Sequence, residues 1–306
     1  MDVKKYLKIV GTVTLICFVF VLGTFVYQGY NMYVNPLFSG ANMPDGDSDE
    51  DVKGLEEVEK SQAYNVLVLG VDTEAKLTDV MMLCRIDTVN KQINMLSIPR
   101  DTKVVVRGST MKINSSFSYG GVEQVIKSVK TLTGLPVHHY MLINTAAFRD
   151  VIDALGGVDF NVPQNMDYED PLQNLYIHLK KGYQHLDGDK AEQLVRFRRY
   201  TNGDIDRIKV QQDFLSAIVE QKLSAAYVLK IPEVYEIISK NTSTDMTGRE
   251  MLAAGKQILS IGKENFNSYT VPGEGTYIGE VSYYVHYSQQ LENLVNEVFI
   301  SDDDAE

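Results

Sequence analysis

The chain has 306 residues, with 41 acidic against 29 basic side chains and a formal net charge of −12. Its 44% hydrophobic and 23% charged content excludes a wholly disordered chain, and its acidity excludes a nucleic-acid partner, whose binder would carry a basic body. The acids are unevenly placed: residues 45–60 hold eight acids and two lysines, and the tail 301–306 holds four acids, so most of the excess charge belongs to a solvated tether and tail.

In chain order, residues 1–8 carry Lys4, Lys5 and Lys8, and Ile9 to Tyr27 contains no charge. At ~1.5 Å per residue that run reaches roughly 28 Å, about one bilayer core. Tyr6, Tyr27, Tyr30 and Tyr33 flank it where interfacial aromatics are expected. The alternative, a cleaved signal peptide, lacks a small-x-small cleavage site after the run. The expected organisation is a cytoplasmic tip at 1–8, a transmembrane anchor at 9–30, an acidic extracellular tether at 31–62, one catalytic body at 63–300 and the tail at 301–306. Lysines before the span place the N-terminus in the cytoplasm and the body outside. Cys17 falls in the span and Cys84 in an apolar strand, so no disulfide joins them, and no zinc-type Cys/His spacing occurs.

Within the body, "YNVLVLGVD" is a buried strand ending at Gly70 and Asp72. "DVMMLCRID" and "KQINMLSIPRD" are two strands joined at "TVNK". "GGVEQVIKSVKTLTG" has helical spacing and stops at Gly134. "VHHYMLIN" is a strand, "TAAFRDVIDALGG" a helix with Thr145 as cap, and "VDFNVP" a short strand. "GDKAEQLVRFRR" is expected to be helical through its arginines, and Asp204 to open the long helix "DRIKVQQDFLSAIVEQKL". Helices at 249–261 and 288–299 and a strand at "NSYTVPG" close the chain. Alternating strands and helices define an α/β fold: a single three-layer domain with a mixed central sheet and helices on both faces, preceded by one N-terminal transmembrane helix.

Three constellations carry chemistry. Asp72 ends the first strand and Asp79 opens the second; if the strands are neighbours, both carboxylates reach one point, as Mg²⁺ prefers. Spacing alone equally allows two turn formers. The second is "SIPRD", where Pro99 ends a strand and Arg100 projects at the same edge, toward a ligand or simply toward Asp101. The third is "VRFRRYTNGDIDR". On a helix Arg196 and Arg199 share a face; on an extended chain Arg196 and Arg198 do. Either way two guanidiniums converge, a fork that suits phosphate oxygens, and Gln211 follows Arg207 on the same helical face. A solvated basic patch paired with Asp204 and Asp206 is the plainer alternative. No G-x-S-x-G elbow, Walker loop or dinucleotide fingerprint is present.

The order "VLVLGVD", "TDVMML", "SIPRDT", "KINSSFSYGG", "DALGGVDF", "GYQHLDGDKAEQLVRFR", "GDIDRIKVQQDFL" behind an anchor resembles the LytR-CpsA-Psr family of cell-wall glycopolymer phosphotransferases. The resemblance implies transfer of a wall teichoic acid or capsular polymer from a polyprenyl-pyrophosphate carrier to peptidoglycan, outside the cytoplasmic membrane of a Gram-positive-type cell. It implies Asp72 and Asp79 as ligands of Mg²⁺ (or Mn²⁺). Arg100, Lys112, Arg196, Arg198, Arg207 and Gln211 become pyrophosphate contacts, with Asp72, Asp79, Arg100, Arg196 and Arg198 the catalytic set. It also implies an apolar tunnel for the prenyl chain, with "VEQVIKSVKTL" and "DFLSAIVEQKL" as candidate walls. Leu77 and Val210 stand where the family usually has arginines. A polyprenyl-pyrophosphate phosphatase using the same site, or a non-catalytic lipid-binding or regulatory envelope protein, are the alternatives. Nothing in the sequence sets an oligomeric state.

Overall fold

The computed structural model describes residues 63–72, 76–171, 175–201, 204–223 and 242–300, with scattered positions between 233 and 240. The side chains of Asp72, Asp204, Thr242 and Leu252 are outside that set. So are the expected tip, anchor, tether and tail. Among the described residues, no helix is long and apolar enough to cross a membrane.

β1 (Ala63–Asp72), β2 (Leu77–Asp87) and β3 (Gln92–Ser97) form an antiparallel meander. Asp87 shapes its second turn, its carboxylate accepting from the Val89 and Asn90 amides at 3.1 and 2.8 Å. The hairpin β4 (Lys103–Val106) and β5 (Ser109–Lys112) leads to α1 (Ser116–Thr133), which ends at Gly134 with a left-handed φ of 73°. β6 (His139–Asn144) feeds α2 (Thr145–Ala154). β7 (Val158–Val162) pairs with β10 (Gly182–Leu186), and β8 (Met166–Asp170) with β9 (Leu175–Leu179). α3 (Gly188–Arg196), α4 (Asp204–Lys222), β11 (Thr242–Thr244), α5 (Gly248–Ile261) and β12 (Phe266–Thr270) follow, then the hairpin β13 (Gly273–Ile278) and β14 (Val281–His286), and α6 (Ser288–Val298).

The central sheet has the order β11-β6-β1-β2-β3-β12 and is mixed: β6 and β12 join it parallel to β1 and β3, the other pairs antiparallel. Its two faces follow strand alternation. Leu67, Leu69, Val71, Met81, Leu83 and Leu96 pack with Val125 and Val129 of α1 and Leu291 and Val295 of α6. Val66, Ile86 and Ile93 turn the other way, toward Ala253, Ala254 and Ile261 of α5. A third cluster joins α3 and α4 to β7, β9 and β10 around Phe214. The expected three layers are therefore present.

Three local expectations need correction. The helix through the arginines stops at Arg196, because Phe197 turns extended (ψ 134°) and buries its ring edge-on to Tyr200, 5.0 Å between centroids. The cap of α2 is Asn144 and not Thr145: its side chain accepts from the Ala147 amide at 2.8 Å. The segment "VEQVIKSVKTL", in α1, packs on the first face of the sheet and does not line the large apolar cavity on the other face.

Candidate active site

The second face of the sheet is hollow. An apolar cavity of about 680 Å³ lies between it and helices α4 and α5. Strand register explains its floor: Val66, Val68 and Gly70 of β1 stand beside Cys84, Met82 and Val80 of β2, and Met141 and Ile143 of β6 complete the rows. Phe214, Leu215 and Ile218 of α4 and Met251, Ala254 and Ile258 of α5 roof it. Of the two expected walls, "DFLSAIVEQKL" is a wall. Cys84, a free thiol pushed up to about 12 by burial, is part of the lining.

Asp79, Arg196, Arg198, Arg207 and Gln211 also line this cavity and make its polar end. Asp79 reaches it through a β-bulge. Gly70 pairs with Val80, and Val71 with Thr78, so Asp79 is the extra residue. A bulge puts two consecutive side chains on one face. Thr78 is accordingly fully buried, whereas Asp79 and Val80 both line the cavity. Gly70 fits the close approach: a Cβ there would stand 3.0 Å from the Val80 Cβ.

The Asp79 carboxylate is shared between two guanidiniums. Arg100 Nη1 donates to one oxygen at 2.7 Å and Arg198 Nη2 to the other at 2.8 Å. Burial raises the Asp79 carboxyl, but Arg198, Arg100 and Arg207 together outweigh it and hold it below the usual carboxylate range. Arg100 sits in a turn closed by the Thr102 hydroxyl on the Pro99 carbonyl at 2.6 Å. Lys112 meets this group indirectly: its Nζ donates to Asp101 at 2.9 Å, and Asp101 lies 3.6 Å from Arg100 Nε.

Arg196 and Arg198 differ. Arg198 lies beyond the helix end and is bound to Asp79; Arg196 is the last residue of α3, and its Nη1 donates to Glu192 at 2.7 Å. Arg199 stacks on the Tyr168 ring, 4.5 Å from its centroid. Arg207 is buried on α4, and Gln211 ties α4 to α3 by donating to the Val195 carbonyl at 3.0 Å. Val210 is buried in the cluster around Phe214, so no charge replaces the family's arginine there. His138 serves the fold, accepting from the Asn65 amide at 2.9 Å. Sequence reasoning missed Gln212, whose amide reaches Ser97, Tyr269 and Thr270 and fastens α4 to β3 and β12, and Glu192; a polar residue facing inward on each helix was the only available signal.

Asp79 supplies hard carboxylate oxygens, the donor type a small divalent cation takes, and in this structure both accept from guanidiniums. Asp72 ends β1 opposite Leu77, two residues before Asp79. Among the described residues, no group of three His, Cys, Asp or Glu side chains is gathered.

Fold and site thus define a three-layer α/β protein whose apolar cavity opens on a cluster of arginines around one carboxylate. A profile of the LytR_cpsA_psr family matches residues 31–300, and the chain belongs to that family. Over 235 residues it is 32% identical to the polyisoprenyl-teichoic acid–peptidoglycan teichoic acid transferase TagU of Bacillus cereus, covering 74% of this chain and 75% of the relative. TagV of Bacillus subtilis, bearing the same transferase name, is 29% identical over 77% of this chain, which spans 63% of that relative. The crystal structure of B. subtilis TagV superposes with a TM-score of 0.68 at 28% identity, covering 78% of this chain and 96% of that one. A structure of TagT bound to LIIa-WTA gives 0.64 at 26%, over 79% and 93%.

Proposed function

We propose that the protein is a membrane-anchored extracellular phosphotransferase that moves a glycopolymer from a polyprenyl-pyrophosphate carrier to peptidoglycan. The observation that carries this reading is one continuous space, apolar along the sheet and lined at one end by Arg196, Arg198 and Arg207 with Asp79. A lipid pyrophosphate has that polarity, and the volume falls in the usual range for ligand sites, about 300–1,000 Å³. In the transfer, an acceptor hydroxyl oxygen bonds to the glycan-bearing phosphorus. The bond from that phosphorus to the bridging oxygen breaks, and polyprenyl phosphate leaves with the proton.

The residues here bind and orient. The cavity takes the prenyl chain and excludes water. Arg198 and Arg100, now on Asp79, are placed to take diphosphate oxygens, and Arg196 and Arg207 add charge alongside. Asp79 and Asp72 would hold Mg²⁺ (or Mn²⁺), which would neutralise diphosphate charge as a Lewis acid. The named transferases among the relatives, and TagT bound to LIIa-WTA, support the teichoic acid class of substrate. The uncharged run at 9–27 after three lysines supports the cytoplasmic membrane as the address.

The test is transfer of a labelled lipid-linked saccharide to peptidoglycan by the full chain in detergent. Asp79→Ala should abolish transfer. Arg198→Ala should cost about 10- to 100-fold, the loss of a charge-assisted contact, and Arg199→Ala, on Tyr168, should be nearly silent. Chelator should stop turnover and Mg²⁺ restore it. Undiminished transfer by Asp79→Ala defeats the reading; release of phosphate without transfer makes the protein a phosphatase.

A further inference from the structure

We propose that Glu192 is a positioning residue that holds Arg196 ready for the diphosphate. The inference rests on the reading of Arg196 as a diphosphate contact. Glu192 is one turn before Arg196 on α3 and only 13% exposed in its side chain. One carboxylate oxygen accepts from Arg196 Nη1 at 2.7 Å, and the other lies 3.2 Å from Arg149 Nη1 of α2. Arg196 ends its helix and the chain turns extended at Phe197, so its own backbone does little to restrict its long side chain. A guanidinium without a carboxylate behind it would sample many rotamers and lose that freedom when the anion arrives. Holding the fork beforehand removes part of that cost. Because a guanidinium has five donors, Arg196 can keep Glu192 and still present others to the cavity it lines.

Glu192 is not required to join the helices. Gly188 packs so closely on α2 that a Cβ there would sit 2.4 Å from the Arg149 carbonyl oxygen, and its amide donates to Asp153 at 2.7 Å. The Glu192 carboxylate therefore has a task separable from α2–α3 packing. The two arginines of the "RFR" motif then obtain their order from different carboxylates: Arg198 from Asp79, at the reacting centre, and Arg196 from Glu192.

The test is a double-mutant cycle on the full chain in detergent, read as the dissociation constant of geranylgeranyl pyrophosphate. Glu192→Ala should weaken binding about 3- to 10-fold, the effect of freeing one long side chain. In an Arg196→Ala background the same change should matter less than about 2-fold, because nothing remains to be positioned. Glu192→Gln keeps an acceptor oxygen and should retain most of the affinity. Arg149→Ala removes the Arg149–Glu192 contact but leaves the Glu192–Arg196 pair, and should stay within about 2-fold of wild type. If Glu192→Ala costs the same in both backgrounds, or tightens binding, the proposal is overturned while the site reading stands. If Arg196→Ala itself binds normally, the role of Arg196 in the proposed function fails, and the role of Glu192 with it.

Discussion

The two faces of the central sheet are made by the same strands and end in opposite states. On one, Leu67, Leu69, Met81 and Leu83 are at or near zero exposure against α1 and α6. On the other, their immediate neighbours Val68, Met82 and Cys84 line a cavity of about 680 Å³ under α4 and α5. Both rows are apolar, so hydrophobicity does not separate them. The difference lies in what covers each row. α1 and α6 press side chains into the sheet, whereas α4 and α5 meet it through satellite contacts: Gln212 on β3 and β12, and Ala253, Ala254 and Ile261 on Tyr64, Val66 and Ile93. A helix held off the sheet by such contacts leaves unfilled volume, and unfilled apolar volume is costly unless a ligand uses it.

The largest expected effect tests the solid face. Leu69→Ala removes a fully buried side chain, and should cost about 2–5 kcal/mol in chemical unfolding. The remaining folded protein should bind geranylgeranyl pyrophosphate with unchanged affinity. A loss under about 1 kcal/mol would mean this face relaxes as easily as the hollow one, and the contrast would collapse.

A filled cavity sharpens it from the other side. Val68→Trp, one residue earlier on β1, points into existing space. Stability should stay within about 1 kcal/mol of wild type, where an overpacked core loses about 1–3 kcal/mol. Affinity for geranylgeranyl pyrophosphate should fall by about ten-fold or more, roughly 1.4 kcal/mol or above. A stability loss of about 1–3 kcal/mol together with normal binding would show that the faces had been assigned the wrong way round.

These contrasts explain what the sequence could disclose. The strand "YNVLVLGVD" was legible because a continuous apolar run reads as a strand buried on both sides. Which side was solid was not legible, since Leu67 and Val68 carry the same signal. Asp79 was found by its motif, but its direction was hidden: strict alternation would have sent it into the core, and only the pairing of Val71 with Thr78 reveals the bulge that turns it outward. "RFRR" identified the arginines but left open whether all of them sat on one helix or on one extended segment. Tertiary burial of Phe197 ended the helix between Arg196 and Arg198, a case of packing overriding local propensity. The hairpins β4–β5 and β13–β14 turn on Arg107–Gly108 and Gly279–Glu280, each with a positive-φ glycine, but lack the Asn-Gly or Asp-Gly pair that is the strongest short-range signal.

The smallest expected effect lies where the two faces meet at the bulge, and it separates them by pH. Burial works against ionisation of Asp79, yet Arg198, Arg100 and Arg207 hold its folded-state carboxyl below the usual range. A depressed carboxyl contributes stability that is fully present above the unfolded value, about 3.9, and is lost as pH falls through the lower folded value. Asp79→Asn should therefore be less stable than wild type at neutral pH by about 1 kcal/mol, a figure kept small because the ion pairs are partly screened by solvent. The gap should close as wild type is acidified below about pH 4. Leu69→Ala, an apolar deletion on the other face, should show a loss that does not vary with pH over the same interval. Urea unfolding of the three proteins from pH 7 downward makes the comparison. A gap for Asp79→Asn that persists unchanged to the acid end would mean that the carboxylate serves the bulge by its shape and not by its charge, and the electrostatic account of the cavity mouth would then rest on the arginines alone.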